Sequence, residues 1–129
     1  MGLNANAKKW VEALRSGRYR QTTEVLRRTR RKDRDPAGYC CLGVACEVFM
    51  KSGGHLDVTT TRSFLGLHRR YNGEAAELPR VVVEWLGLRR PNGDYAHDSL
   101  SDLNDIGVSF EDIAATIEAM PEGLFTTKA

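Results

Sequence analysis

Long apolar runs are absent from the 129-residue chain. None approaches the roughly 18 residues that a membrane-spanning helix needs. The opening stretch, Met1 to Lys9, lacks the apolar core of a secretion signal. Gly2 invites a myristoyl group, but Asn6 stands where that motif wants Ser or Thr. A cytoplasmic protein with no membrane attachment is expected. Cysteine is scarce: Cys40, Cys41 and Cys46 are the whole complement. An odd, tightly clustered set is a poor disulfide framework and suits a reducing compartment. No His-Glu-x-x-His, phosphate-loop or dinucleotide-binding glycine pattern occurs. Internal repeats and low-complexity tracts are missing too.

What is present is an ordinary globular composition with an uneven charge. Hydrophobic residues make up 41% and charged residues 28%, which suits one folded domain over residues 1–129. The net charge is only +2, yet residues 1–35 carry 11 Lys/Arg against 4 Asp/Glu, a local excess of +7. A basic region attracts anionic partners. The isoelectric point near 8.5 lies below the roughly 9 of a dedicated nucleic-acid binder, so nucleic acid is a disfavoured partner.

Periodicity predicts helices over residues 6–16 and 41–50, a third starting at Leu78-Pro79, and a fourth after Ser109. Trp10, Val11 and Leu14 share a face of the first. The second is apolar all round, with Leu42, Ala45, Cys46 and Phe49 on one side and Val44 and Val48 on another, so it is expected at the centre. The third presents Val81, Val82, Trp85 and Leu86. The fourth carries Ser109 and Asp112 at capping-box spacing, a stripe of Ile113, Ala114, Ile117 and Met120, and Pro121 as a stop. His55–Thr61 reads as a strand. Asn92-Gly93 reads as a hairpin turn joining 86–90 to 94–96. Residues 27–36 read as a basic loop, and residues 1–6 and 126–129 as frayed ends. The expected class is α+β, helix-dominated, with about four helices and one or two short β-hairpins.

Three segments carry a resemblance. They are Trp10 to Gly17 followed by Tyr19 and Gln21; Tyr39-Cys-Cys-Leu-Gly-Val-Ala-Cys46; and Leu103-Asn-Asp-Ile-Gly-Val-Ser-Phe-Glu-Asp-Ile-Ala114. Together they resemble a set of small bacteriophage-encoded proteins whose middle segment usually reads Tyr-Cys-Cys-Leu-Gly-Val-Leu-Cys. Ala45 replaces the usual Leu here. The resemblance implies a phage or prophage origin. It brings no activity that transfers residue by residue. It supplies a context of small accessory proteins that modulate host processes, some by sequestering nucleotide signals.

Two constellations could carry chemistry. Cys40 or Cys41 near a helix start, with His55, His68 or His97 downstream and Asn104 or Asp105 to orient an imidazole, follows the chain order of papain-like hydrolases. The ordinary reading of such cysteines is as small buried hydrophobes. A zinc site from Cys40, Cys41, Cys46 and His55 lacks the paired spacing of structural sites, and no metal or cofactor is expected. The second constellation is basic. Arg18, Arg20, Arg27, Arg28 and Arg30 offer bidentate bonds to phosphate, Tyr19 and Tyr39 offer stacking faces, and Asn104 or Asp105 a polar edge. Its ordinary reading is a solvated charge run; for Asn104 and Asp105 it is an Asx-turn. The expected function is an accessory protein that binds, and withholds, an anionic nucleotide-like small molecule. A cysteine-dependent hydrolase and an inhibitor of a host protein are the alternatives. A homo-oligomer would suit a ligand held between subunits.

Overall fold

The structure is a computed structural model and describes residues 2–29, 37–63 and 66–126. Its first helix, α1 (Ala5–Arg15), is capped by Asn4, whose Oδ1 accepts from the Ala7 amide at 2.8 Å. The Nδ2 groups of Asn4 and Asn6 donate to the carbonyls of Leu86 and Trp85, each at 2.9 Å. Those bonds correct the expectation of a frayed N-terminus: from Asn4 onward the backbone is fixed by its own side chains. α1 buries Ala7, Trp10, Val11 and Leu14, spaced for one helical face.

Three short strands surround the entry to the central helix: β1 (Arg20–Gln21), β2 (Arg27–Thr29) and β3 (Gly38–Tyr39). The helix α2 (Cys41–Lys51) follows. Every residue from Cys41 to Cys46 is buried, as an all-round apolar helix should be. Gly43 explains part of the Cys-Cys-Leu-Gly-Val run. A Cβ there would lie 1.8 Å from the Leu26 carbonyl oxygen, so α2 meets the backbone before β2 at a distance only glycine permits.

Residues 27–36 were expected to form a loop. Arg27–Thr29 instead forms the middle strand of a five-stranded sheet, in the order β1-β3-β2-β5-β4. The outer pair is β4 (Val58–Ser63) and β5 (Gly66–Tyr71). The rest of the basic segment, residues 30–36, lies outside the described residues. β1 runs parallel to β3, and the other pairs are antiparallel. Arg27–Thr29 contains no apolar residue, and so no alternation, to mark a strand. Its partners come from β3 and β5, so the pairing is invisible to local periodicity. The expected strand at 55–61 begins three residues later, and β5 was not expected.

The helix α3 (Arg80–Leu86) starts after Pro79 and ends at Gly87 in the left-handed conformation, φ +77°. It buries Val82 and Leu86, whereas Val81 is 40% exposed. Gly93 turns the chain at φ +69°, but the hairpin is not the expected one. It pairs β6 (Asp94–Tyr95) with β7 (Asp98–Ser99), two residues further on. Leu88 bridges to Phe125 instead of to the 94–96 segment.

Ser99 then caps a six-residue helix, α4 (Leu100–Asp105), by accepting from the Asp102 amide at 3.0 Å. Asn104 and Asp105, whose ordinary expectation is an Asx-turn, close this helix. Ser109 caps α5 (Phe110–Glu118) by accepting from Asp112 at 3.1 Å, the bond its spacing predicted. Met120 falls outside the buried stripe, with φ +50° beyond the helix end, and Phe110 takes its place. At the C-terminal side, Thr126 donates from its amide to the Gly87 carbonyl at 2.7 Å, so the tail is held to that point.

The architecture is α+β: the five described helices, a mixed sheet and a small hairpin. α1, α2 and the C-terminal helices share one apolar core. No helix among the described residues is long and apolar enough to cross a membrane.

Candidate functional site

The cysteines sit in the core. Cys40 is 5% exposed; Cys41 and Cys46 are fully buried. Burial pushes the Cys40 thiol up to about 11 and raises the other two well above the ordinary thiol range. A nucleophilic cysteine needs the opposite: partial exposure and a stabilised thiolate. The N-terminus of α2 therefore offers no accessible nucleophile. The histidines do not change that. His55 is exposed and pairs with Asp57 at 3.0 Å, His68 is buried within β5, and His97 lies exposed in the turn between β6 and β7.

Asn104 is fully buried and fully engaged. Its Oδ1 accepts from the Cys41 amide at 3.1 Å and from Gln21 Nε2 at 2.9 Å. Its Nδ2 donates to the Thr22 carbonyl at 2.7 Å. Cys40 caps α2 by position but makes no side-chain capping bond, so Asn104 satisfies the first amide of α2 from α4. Asp105 Oδ1 accepts from the Glu24 amide at 2.9 Å, at a residue with φ +74°. Both side chains expected to read a ligand edge are occupied in holding residues 21–24 and α2 together.

The basic and aromatic residues form a different arrangement. Lys51, at the end of α2, donates to Tyr19 Oη at 2.9 Å, and its Nζ lies 5.2 Å from the Tyr19 ring centre. That hydrogen bond raises the Lys51 pKa, so the cation is secure at neutral pH. Tyr19 meets Tyr39 edge to face, with ring centres 5.2 Å apart. The Arg27 guanidinium stands over Tyr39 at 5.5 Å. Arg69 lies opposite Arg27 in the sheet and 5.8 Å from the Tyr71 ring. Glu47 closes the row: its Oε2 accepts from Arg69 Nη1 at 3.2 Å and from Tyr71 Oη at 2.7 Å. Burial, and then the Glu47 charge, raise the Tyr71 pKa, which keeps the phenol a donor. Cations and tyrosines thus form one row of contacts from the end of α2 across the sheet.

Beside Tyr19 the surface opens into a groove of about 330 Å³ between the ends of α1 and α2. Lys9, Arg18 and Lys51 bring three cations to it and Glu12 one carboxylate; Tyr19 and Val48 supply apolar surface. A larger groove of about 570 Å³ runs along α1 past Leu3 and Val11, where Arg15 is already paired with Glu111 and Glu118, each at 2.7 Å. The groove at Tyr19 brings Lys9, Arg18 and Lys51 beside an aromatic ring of this row.

A family model described as a domain of unknown function, DUF8296, matches residues 4–121. The chain belongs to the DUF8296 family. No curated protein and no solved structure matches it. Within this DUF8296 domain, the three segments singled out in sequence have structural roles. Trp10 Nε1 donates to the Cys41 carbonyl at 2.9 Å, Gly43 abuts Leu26, and Asn104 ties both regions to Gln21.

Of the residues expected to bind a ligand, Arg18, Tyr19, Arg27 and Tyr39 lie together on the row and its groove. Arg20 and Arg28 do not. Each has the other parity in its strand, and Arg28 bonds to Thr22 Oγ1 at 3.3 Å and the Thr23 carbonyl at 3.4 Å. Arg30 lies outside the described residues. Lys9, Lys51, Glu47, Arg69 and Tyr71 were missed. Lys51 was legible in principle, one helical turn beyond Glu47. Arg69 and Tyr71 belong to the strand that local pattern did not reveal.

Proposed function

We propose that the chain binds an anionic, nucleotide-like small molecule in the groove between α1 and α2 and holds it without chemical change. The observation that supports this reading is the groove itself, which Lys9, Arg18 and Lys51 line together with Tyr19. Arg18 and the lysines draw the anion to the groove, and tyrosine supplies a face for a base. The buried cysteines favour retention over turnover, since the hydrolase alternative needs an exposed thiolate. With the phage-type resemblance of its motifs, the reading becomes that of an accessory protein withholding a nucleotide signal in the host cytoplasm.

The test is a thermal-shift screen with mononucleotides, cyclic nucleotides, cyclic dinucleotides and ADP-ribose derivatives. A ligand at 100 times its dissociation constant adds about 2.7 kcal/mol of stability, which moves the midpoint by roughly 5–10 °C for a domain of this size. The ligand should be recovered intact, and Lys51→Glu and Arg18→Glu should abolish the shift. Recovery of an altered ligand would revive the enzyme. Silence across the panel would leave the inhibitor of a host protein as the better reading.

A further inference from the structure

The sheet beside α2 places two arginines directly opposite each other, Arg27 on β2 and Arg69 on β5. Like charges in that register repel. One carboxylate, Glu47, answers Arg69, and among the described residues its hydrogen bonds go to Arg69 and Tyr71. The Arg27 side chain has its tyrosine contact and, among the described residues, no hydrogen bond or ion pair. Three side-chain atoms of this patch are buried without any hydrogen-bond partner: Arg27 Nε, Arg69 Nε and Thr29 Oγ1. Thr29 shares the face of Arg27, two residues along the same strand. Leaving such a donor unmet is costly, and more so when it is charged. Three on one face of adjacent strands are a donor set that lacks its acceptor.

We propose that Arg27, Arg69 and Thr29 form a seat for a tetrahedral oxyanion, the phosphoryl group of the ligand. Each guanidinium presents its Nε–H and a neighbouring Nη–H as a fork, the geometry that fits phosphate oxygens two at a time. The threonine hydroxyl gives a further donor. The anion neutralises the Arg27–Arg69 repulsion and satisfies all three orphan atoms at once. Because these Nε atoms are shielded from water, the side chains turn to admit it, and the bonds then form where solvent competes weakly. The seat deepens the reading above and rests on it for what carries the phosphate: Tyr39 joins Arg27 to Tyr19 and so to the groove.

The experiment follows the arginine Nε–H signals in proton–nitrogen correlation spectra of the whole chain, assigned by their loss in Arg27→Lys and Arg69→Lys. Inorganic phosphate is titrated at constant ionic strength, with chloride as the control. The signals of Arg27 and Arg69 should move and saturate with phosphate and stay still with chloride. Arg27→Lys, which keeps the charge but loses the fork, should weaken phosphate binding about tenfold or more. Thr29→Val, nearly the same shape, should weaken it with the melting temperature little changed. A mononucleotide should move the same two signals at lower concentration than phosphate, and a nucleoside should leave them unmoved. Equal response to chloride and phosphate would overturn the seat. So would nucleotide binding that perturbs Arg18 while Arg27 and Arg69 stay still, an outcome that spares the groove reading. Phosphate saturating the two signals, with no gain from any nucleotide, would uphold the seat and remove the nucleotide.

Discussion

Replacing Asn104 by alanine should be among the most damaging single changes in this domain. The side chain is fully buried and makes three hydrogen bonds, to the Cys41 amide, Gln21 Nε2 and the Thr22 carbonyl. Gln21 keeps a second acceptor, the Val108 carbonyl at 2.7 Å, so it is not stranded. The Cys41 amide and the Thr22 carbonyl lose the partner Asn104 gave them. At about 1–3 kcal/mol for each, their joint cost is about 2–6 kcal/mol, against a total stability of about 5–15 kcal/mol for a domain of this kind. Urea unfolding followed by the fluorescence of Trp10 and Trp85 reads this directly. The midpoint should fall sharply with an unchanged slope. Gln21→Ala should cost less, and the double variant should cost less than the sum of the two. A loss below about 1 kcal/mol for Asn104→Ala would show that water replaces the amide at little cost, and the view of Asn104 as the tie between α2 and residues 21–22 would fail.

Gly43→Ala should destabilise although alanine is the better helix former by about 1 kcal/mol. Its Cβ would sit 1.8 Å from the Leu26 oxygen and 2.7 Å from the Leu26 carbonyl carbon, and backbone cannot step aside. A lowered melting temperature or failure to fold is expected, and a raised one would contradict the contact. The thiols should resist a disulfide reagent near neutral pH and react only on unfolding. Their folded pKa values are raised by burial, Cys40 to about 11, so the unfolded chain loses its thiol protons first. Stability is therefore intact below the ordinary thiol value of 9.0 and declines as pH rises above it, by up to about 1.4 kcal/mol per pH unit for each thiol, the Cys40 contribution ending near 11. A flat profile there would argue against burial. Glu118, hydrogen-bonded by Arg15, should titrate below the usual carboxylate range by NMR. Its contribution is present above the unfolded carboxylate pKa and is lost as pH falls through the folded one; Arg15→Gln should return the titration to normal.

The described helices other than α4 were legible because their signals are local. Ser109 and Asp112 stand three apart, Gly87 and Gly53 follow apolar runs, and the stretch after Cys40 is apolar on every side. The sheet was hidden because its strands are two to six residues long and its middle strand reads Arg-Arg-Thr. What makes Arg27–Thr29 a strand is β5, some forty positions away, and no periodicity within a window of ten reports that. The site divided in the same way. Arg18, Tyr19, Arg27 and Tyr39 stood out by residue type and proved to be neighbours. Asn104 and Asp105 also stood out by type, but a short polar side chain that suits a ligand suits a buried backbone group equally well, and only the fold decides which it meets. Lys51 and Arg69 looked like ordinary surface charges until α2 and β5 carried them to the tyrosines.

The bonds of Asn104 join positions 83, 63 and 82 residues apart, and Asn4 and Asn6 reach 82 and 79 residues forward to α3. Long closures of this kind slow folding, because chain entropy is lost before the contacts form. They also set an order during synthesis. A nascent chain that has emerged only as far as α3 holds the whole of α2 with its first amide unanswered and its apolar surface uncovered by α4 and α5. The most hydrophobic helix is made early and sheltered late, so the interval between residue 51 leaving the ribosome and residue 117 following it is when this chain is most open to aggregation and to chaperones.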